Sequence, residues 1–220
     1  MESVRVWDLP TRIFHWALVL CVVGLVITGE ISGDAMVWHF RLGYAVLTLL
    51  LFRVAWGFIG GHWSRFGSFV VSPSTVWAYI RGHRLPEHAV GHNPLGALSV
   101  LGLLFMTLAQ VTAGLMSDDE IATAGPLASK VPGAWVSTAT YLHTEVTKVI
   151  LIVLVLLHVA AILWYRFKKG QNLVQPMVTG DKELEGSFMA SRDTVGSRLL
   201  ALCTLAICGA AVAALLRWAS

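Results

Sequence analysis

The chain has 220 residues, of which 56% are hydrophobic and 13% charged, and its formal net charge is +3. Its mean hydropathy is +0.69. A soluble domain carries about 25% charged residues, so this composition excludes a soluble enzyme, a disordered chain and a collagen-like chain, and it points to an integral membrane protein. The basic residues are scattered over the loops without a cluster, which excludes a nucleic-acid partner.

A membrane helix needs roughly 20 apolar residues, and five apolar segments of that kind are predicted, at about 13–29, 38–60, 94–117, 138–165 and 199–217. The first follows Asp8-Leu9-Pro10-Thr11-Arg12, where Pro10 and Thr11 are helix-start residues. It leaves through Thr28-Gly29-Glu30, which lacks the small-residue cleavage pattern of a signal peptide, so the segment is expected to stay in the mature protein. Between the second and third segments, residues 73–84 hold Val76, Trp77 and Ile80 followed by Arg81 and Arg84, the pattern of a short interfacial helix. Trp16, Trp38, Trp56, Trp135, Trp164 and Trp218 fall near segment ends, where an indole prefers the lipid–water boundary. Cys21, Cys203 and Cys208 lie inside apolar runs and imply no disulfide framework.

The loops differ in charge. The N-terminus with the 61–93 and 166–198 loops holds eleven basic residues: Arg5, Arg12, Arg65, Arg81, Arg84, Arg166, Lys168, Lys169, Lys182, Arg192 and Arg198. The opposite side holds Lys130 and Arg217 beside Glu30, Asp34, Asp118, Asp119 and Glu120. The positive-inside rule therefore puts the N-terminus in the cytoplasm, and an odd number of spans puts the C-terminus on the far side.

Four of the eight histidines sit in or at the edges of apolar segments: His15, His39, His143 and His158. Ionisable side chains at membrane depth are costly and call for a function. The topology sorts them into two layers, His15 with His158 near the cytoplasm and His39 with His143 near the far side. In a regular helix His143 and His158 would be about 22 Å apart and offset by about 60°. A single membrane histidine is commonly a helix–helix hydrogen-bond partner, but two matched pairs suit axial ligation of two haems in a helix bundle. Arg12 shares a face with His15, and Arg53 returns to the face of His39, so both are candidates for haem propionates. Gly43, one turn after His39, and Gly29, on the His15 face, are candidate notches for a flat macrocycle. The loop histidines His83, His88 and His92 lack the cysteine or carboxylate support of a metal site. No HExxH, GxSxG or P-loop motif occurs.

The chain resembles the bacterial cytochrome b561 family, which includes the b-type subunit of nickel–iron hydrogenases. The matching stretches are Val4-Arg5-Val6-Trp7-Asp8-Leu9-Pro10-Thr11-Arg12 with Phe14-His15-Trp16, His39 with Gly43-Tyr44, and Phe52-Arg53-Val54-Ala55-Trp56-Gly57. Gly91-His92-Asn93-Pro94-Leu95-Gly96-Ala97, His143, Leu157-His158-Val159, Asn172-Leu173-Val174 and Met177-Val178-Thr179-Gly180 complete the set. The resemblance covers residues 3–182. It implies an all-α integral membrane bundle with a four-helix dihaem core over residues 1–182. It implies two non-covalent, bis-histidine haem b groups, with ligands His15 paired with His158 and His39 with His143. It also implies electron exchange between membrane quinone and a redox partner such as a c-type cytochrome or a hydrogenase, in the bacterial inner membrane. Related dihaem anchors place quinone near the loop before the third helix, which makes Asn93 the candidate quinone contact. Asn93-Pro94 also reads as a helix N-cap.

Residues 183–220, with a predicted fifth helix at 199–217, lie outside the resemblance and would dock a partner, seal the bundle or serve as an extra anchor. Two other readings compete with the electron relay. One is an anchor subunit of a larger redox complex whose histidines serve packing. The other is a small transporter that uses the histidines as proton relays. The acids Asp118, Asp119 and Glu120 would steer a basic soluble partner or serve as plain solvated loop charge.

Overall fold

A computed structural model describes residues 2–83 and 85–219, so Arg84 of the expected interfacial stretch lies outside the described residues. The chain opens with strand β1 (Glu2–Arg5). Helix α1 (Leu9–Ile31) begins four residues before the apolar run does. The reason is local: the Asp8 carboxylate accepts the Thr11 backbone N–H at 2.8 Å, satisfying a donor that a helix start otherwise leaves open.

Helix α2 (Met36–Ile59) follows a short turn. Helix α3 (Pro73–Ile80) forms within the stretch where a short interfacial helix is expected, capped by Ser72 with Pro73 in its first turn. Its exposed Trp77 and Ile80 are suited to the membrane surface. Helix α4 (Pro94–Met116) is followed by a loop and by α5 (Gly133–Tyr141). A π turn at Leu142–Thr147 joins α5 to α6 (Lys148–Lys168). The regular-helix arithmetic between His143 and His158 does not hold across that turn. Helix α7 (Val174–Thr179), strand β2 (Asp181–Leu184) and helix α8 (Val195–Ala219) complete the chain.

Among the described residues, five helical stretches are long and apolar enough to cross a membrane: Leu9–Ile31, Gly33–Ile59, Pro94–Met116, Gly133–Lys168 and Val195–Ala219. Large apolar side chains on them stay open, Phe105 at 69% and Ile207 at 70% exposure. That much bare apolar surface suits hydrocarbon and not water.

The chain divides into two units. The first comprises residues 2–14, 53–102 and 156–204; the second comprises 15–52, 103–155 and 205–219. In the first unit β1 pairs antiparallel with β2, from Glu2 opposite Leu184 to Arg5 opposite Asp181. This small ribbon has no counterpart in the helical reading of the sequence. Val4, Val6, Trp7, Trp63, Val90 and Leu184 form the core beneath it. Gly180, at φ 94°, turns the chain out of α7. Its carbonyl accepts the backbone N–H groups of Val6 and Trp7, and a Cβ there would lie 2.8 Å from the Trp7 carbonyl oxygen, so only glycine fits. Ser191 extends the clasp: its N–H donates to the Arg5 carbonyl and its hydroxyl to the Val6 carbonyl.

In the second unit Val46, Leu47 and Leu50 of α2 pack with Val111 and Leu115 of α4 and with Val212 of α8. The fifth helix is thus part of the bundle core in this unit.

Candidate functional site

His39 and His143 meet in the second unit, their ring centroids 6.1 Å apart and their planes at 88°. Each ring is held from behind through Nδ1. The His39 Nδ1 lies 3.1 Å from the Leu25 carbonyl oxygen and 3.2 Å from the Thr28 hydroxyl of α1. The His143 Nδ1 lies 2.9 Å from the Gln110 carbonyl oxygen of α4. A carbonyl only accepts, so both Nδ1 atoms carry the proton and both Nε2 atoms keep a lone pair.

Two glycines make room for the rings. A Cβ at Gly114 would stand 2.7 Å from His143 Cε1, and one at Gly29 would stand 3.3 Å from His39 Cε1. Gly29 therefore lies against the His39 ring. A Cβ at Gly43 would meet nothing within 4 Å.

The π turn that carries His143 has a partner on α4. A π turn breaks the i→i+4 ladder and is frequent at functional positions. Here the Gln110 side-chain amide donates to the His143 carbonyl at 3.1 Å. The Thr147 hydroxyl bonds to the Gln110 side-chain oxygen and contacts the Leu142 carbonyl at 2.9 Å. Gln110 thus positions His143 through backbone and side chain together. The sequence signal for it is an amide inside an otherwise apolar helix.

The pair fits a shared iron. With metal–imidazole bonds of about 2 Å and a ring radius of about 1 Å, two opposed ligands put their centroids about 6 Å apart. A ligand ring rotates freely about its metal–nitrogen bond, so perpendicular planes are compatible with this arrangement. Nitrogens held in one tautomer by carbonyls are the usual support of a ligating histidine.

The first unit holds Arg12, Arg53, Asn93 and His158. Arg53 is 3% exposed, its guanidinium 5.0 Å from the centre of the Phe66 ring, and its Nη1 is buried without a hydrogen-bond partner among the described residues. Phe66 reaches it by crossing Gly57, one turn on, where a Cβ would lie 2.1 Å from the ring. Arg12 donates to the Val178 carbonyl and lies 4.0 Å from Asp193, while its buried Nε has no hydrogen-bond partner among the described residues. Buried guanidinium N–H groups without acceptors are costly, and a carboxylate is the group that satisfies them. Both arginines therefore fit an anionic ligand such as a propionate.

The hub of this unit is Asp8. Asp8 is fully buried and accepts from Thr11 N–H, from Gly61 N–H at 2.9 Å, from the Ser64 hydroxyl at 2.9 Å and from Trp56 Nε1 at 3.2 Å. Trp56 is consequently buried and is not a boundary anchor facing lipid. Its position near a helix end was a valid signal, but the indole N–H finds Asp8 instead of a headgroup.

Asn93 acts as an N-cap: its Oδ1 accepts Gly96 N–H at 2.8 Å, while its Nδ2 donates to the Tyr165 hydroxyl at 2.9 Å. The Tyr79 hydroxyl is 3.3 Å from that of Tyr165. His158 is half-buried on α6, seven residues before Tyr165 and hence near the same helix face. His15 belongs to the second unit, half-buried with its ring edge-on to Trp16 at 5.0 Å. Among the loop histidines, His92 packs 4.7 Å from both Trp7 and Phe69, and His88 Nδ1 accepts Leu85 N–H. No metal-holding group of three His, Cys, Asp or Glu side chains exists among the described residues.

In the 118–123 loop Asp119 is held by its own turn. Its carboxylate accepts from the Thr123 hydroxyl and from the N–H groups of Thr123, Ala122 and Ile121, which keeps it below the usual carboxylate range. It stays charged at any physiological pH.

Residues 6–180 match the family profile described as prokaryotic cytochrome b561. The chain is 30% identical over 139 residues to the probable Ni/Fe-hydrogenase 1 B-type cytochrome subunit of Escherichia coli (strain K12), covering 51% of this chain and 59% of that protein. The chain thus spans about three fifths of that relative's length. It is 26% identical over 216 residues to the probable Ni/Fe-hydrogenase B-type cytochrome subunit of Rhizobium leguminosarum bv. viciae, covering 82% of this chain and 89% of the relative. The corresponding protein of Bradyrhizobium diazoefficiens is 24% identical, over 82% and 86%. No solved structure matches the chain significantly.

Proposed function

The chain belongs to the prokaryotic cytochrome b561 family, and from that premise we propose that it is a dihaem cytochrome b relaying electrons across the bacterial inner membrane. The family is one of b-type cytochromes, which implies haem b, and the protein is a multi-pass membrane protein. One end of the relay would be the quinone pool. The other would be a periplasmic redox partner, such as a c-type cytochrome or a hydrogenase-like protein.

The observation that carries this reading is the pair His39 and His143, their ring centroids 6.1 Å apart, with both Nδ1 atoms engaged by carbonyls so that each Nε2 keeps its lone pair. Haem, when bound, supplies a one-electron iron couple. The residues do the rest. His39 and His143 would hold one iron. Gln110, Thr28 and the Leu25 carbonyl fix the tautomer and orientation of the two rings. Arg53 and Arg12 would satisfy propionates with the N–H groups that lack acceptors. The second ligand pair, His15 with His158, rests on the span topology and the family motifs, and the cytoplasmic N-terminus and periplasmic C-terminus rest on the charge asymmetry of the loops. Asn93 keeps one amide hydrogen beyond its bond to Tyr165, and this is the group it would offer to a quinone.

A second reading is favoured by the names of the relatives in Escherichia coli and Rhizobium leguminosarum. In it the chain is the membrane anchor of a hydrogenase-like complex. The test of the main reading is the reduced-minus-oxidised spectrum of purified protein, with a haem count. Two b haems per chain are expected. Colourless protein from haem-replete cells would overturn the reading; one haem per chain would overturn only the two-pair arrangement. Redox titration with and without added quinone shows whether quinone couples to a haem.

A further inference from the structure

Lys148 is out of place in an apolar helix. It opens α6 immediately after the π turn that bears His143, and it is followed by Val149-Ile150-Leu151-Ile152-Val153-Leu154. A lysine in such a run is costly unless its charge has a use. Its ammonium lies 3.4 Å from the Glu30 carboxylate, with side-chain exposures of 44% and 70%. An exposed pair of this kind contributes little to stability, so stability does not explain why the charge is kept.

The position of the pair is more informative. Glu30 directly follows Thr28 and Gly29, which with Leu25 are the α1 residues beside the His39 ring. Lys148 stands five residues after His143, about one turn on along the π segment that carries it. The ion pair thus joins the helix that supports one histidine to the helix that carries the other, and all four residues lie in the second unit.

We propose that Lys148 and Glu30 form an electrostatic pair that sets the reduction potential of the iron held between His39 and His143. This inference rests on the haem reading above. The physics is Coulombic. Reduction adds one negative charge at the iron, so a nearby cation favours the reduced state and a nearby anion opposes it. Such charges act over several ångströms, with screening that grows with their exposure. Lys148 and Glu30 oppose each other, and the helices hold both near the ligands. Neither touches the iron; they are positioning residues for its potential.

The test is a spectroscopic redox titration of the full-length protein and of Lys148→Met, Lys148→Arg, Glu30→Gln and the Lys148→Met/Glu30→Gln double variant, with haem counted in each. The haem in question is identified as the one lost in His39→Ala. Lys148→Met should lower its midpoint, by about tenfold in the redox equilibrium, or about 59 mV for a one-electron couple. Glu30→Gln should raise it. Lys148→Arg should leave it near the parent value, and the double variant should fall between the single ones. A purely packing role would not give shifts of opposite sign. If that haem is present and the two single variants leave its midpoint unmoved, or move it in the same direction, the inference is overturned while the haem reading stands. If no haem is lost in His39→Ala, the haem reading at this pair fails, and the inference falls with it.

Discussion

Gly114 of α4 and His143 in the π turn are so close that a Cβ on the glycine would sit 2.7 Å from the imidazole Cε1. The ring occupies the volume that any other residue at position 114 would fill. Gly114→Ala should push the His143 ring off its Gln110 acceptor. We expect loss of one of two haems with the fold retained. The check is the haem-to-protein ratio alongside the far-UV circular dichroism spectrum.

Gln110→Leu keeps the carbonyl that accepts the His143 N–H but removes the amide that serves the His143 carbonyl. Losing one such intramolecular hydrogen bond costs about 0.5–1.5 kcal/mol. The expected outcome is a lower thermal midpoint in detergent and weaker retention of one haem. An unchanged midpoint would mean that the π turn does not need this brace.

The histidine pairs give a cross-check. His39→Ala and His143→Ala should each abolish the same b-type spectral component. His15→Ala and His158→Ala should each abolish the other. A component lost in His39→Ala but retained in His143→Ala would break the assignment of the pair that faces across 6.1 Å.

Asp8→Ala strips the acceptor from Thr11, Trp56, Gly61 and Ser64. Several buried donors lose their partner in one step, and a loss of about 3–5 kcal/mol is expected by analogy with breaking a buried polar pair. The variant should accumulate poorly in membranes. Asp8→Asn, which keeps one acceptor oxygen, should be partly restored, as judged by the yield of folded protein.

The N-terminal clasp should fail in acid. Burial alone would raise the Asp193 carboxyl. Hydrogen bonds from Arg198, Arg5 and the Leu9 N–H outweigh this and hold it below its ordinary value. A depressed carboxylate stabilises the fold above its unfolded value, about 3.9, and that contribution is lost as pH falls through the folded value. Amide exchange of residues 2–6 should therefore quicken below about pH 4, and Asp193→Asn should show fast exchange already at neutral pH.

The membrane class, the count of five spans and the four histidines follow from the one-dimensional pattern. Apolar runs of bilayer length and rare ionisable residues are visible without any contact information. Helix α1 began early because the cap is Asp8, a polar residue that hydropathy alone leaves outside the span. Trp56 shows a limit of position-based reading. A tryptophan near a helix end suits the lipid boundary, but the local fold brings a buried carboxylate to it.

Pairing and support are tertiary properties. Sequence depth puts His39 and His143 in one layer, but only packing brings the rings to 6.1 Å and turns both Nδ1 atoms onto carbonyls of other helices. Gln110, Gly114 and Asp8 act through partners that are distant in the chain, at separations no helical period encodes. The π turn changes the phase of the helix after His143 in a way that regular geometry does not anticipate. Composition by itself determined that the protein lives in lipid and which few polar residues need a reason. The tertiary structure decided how those residues are held, because buried polar groups must find acceptors and donors wherever the packed helices place them.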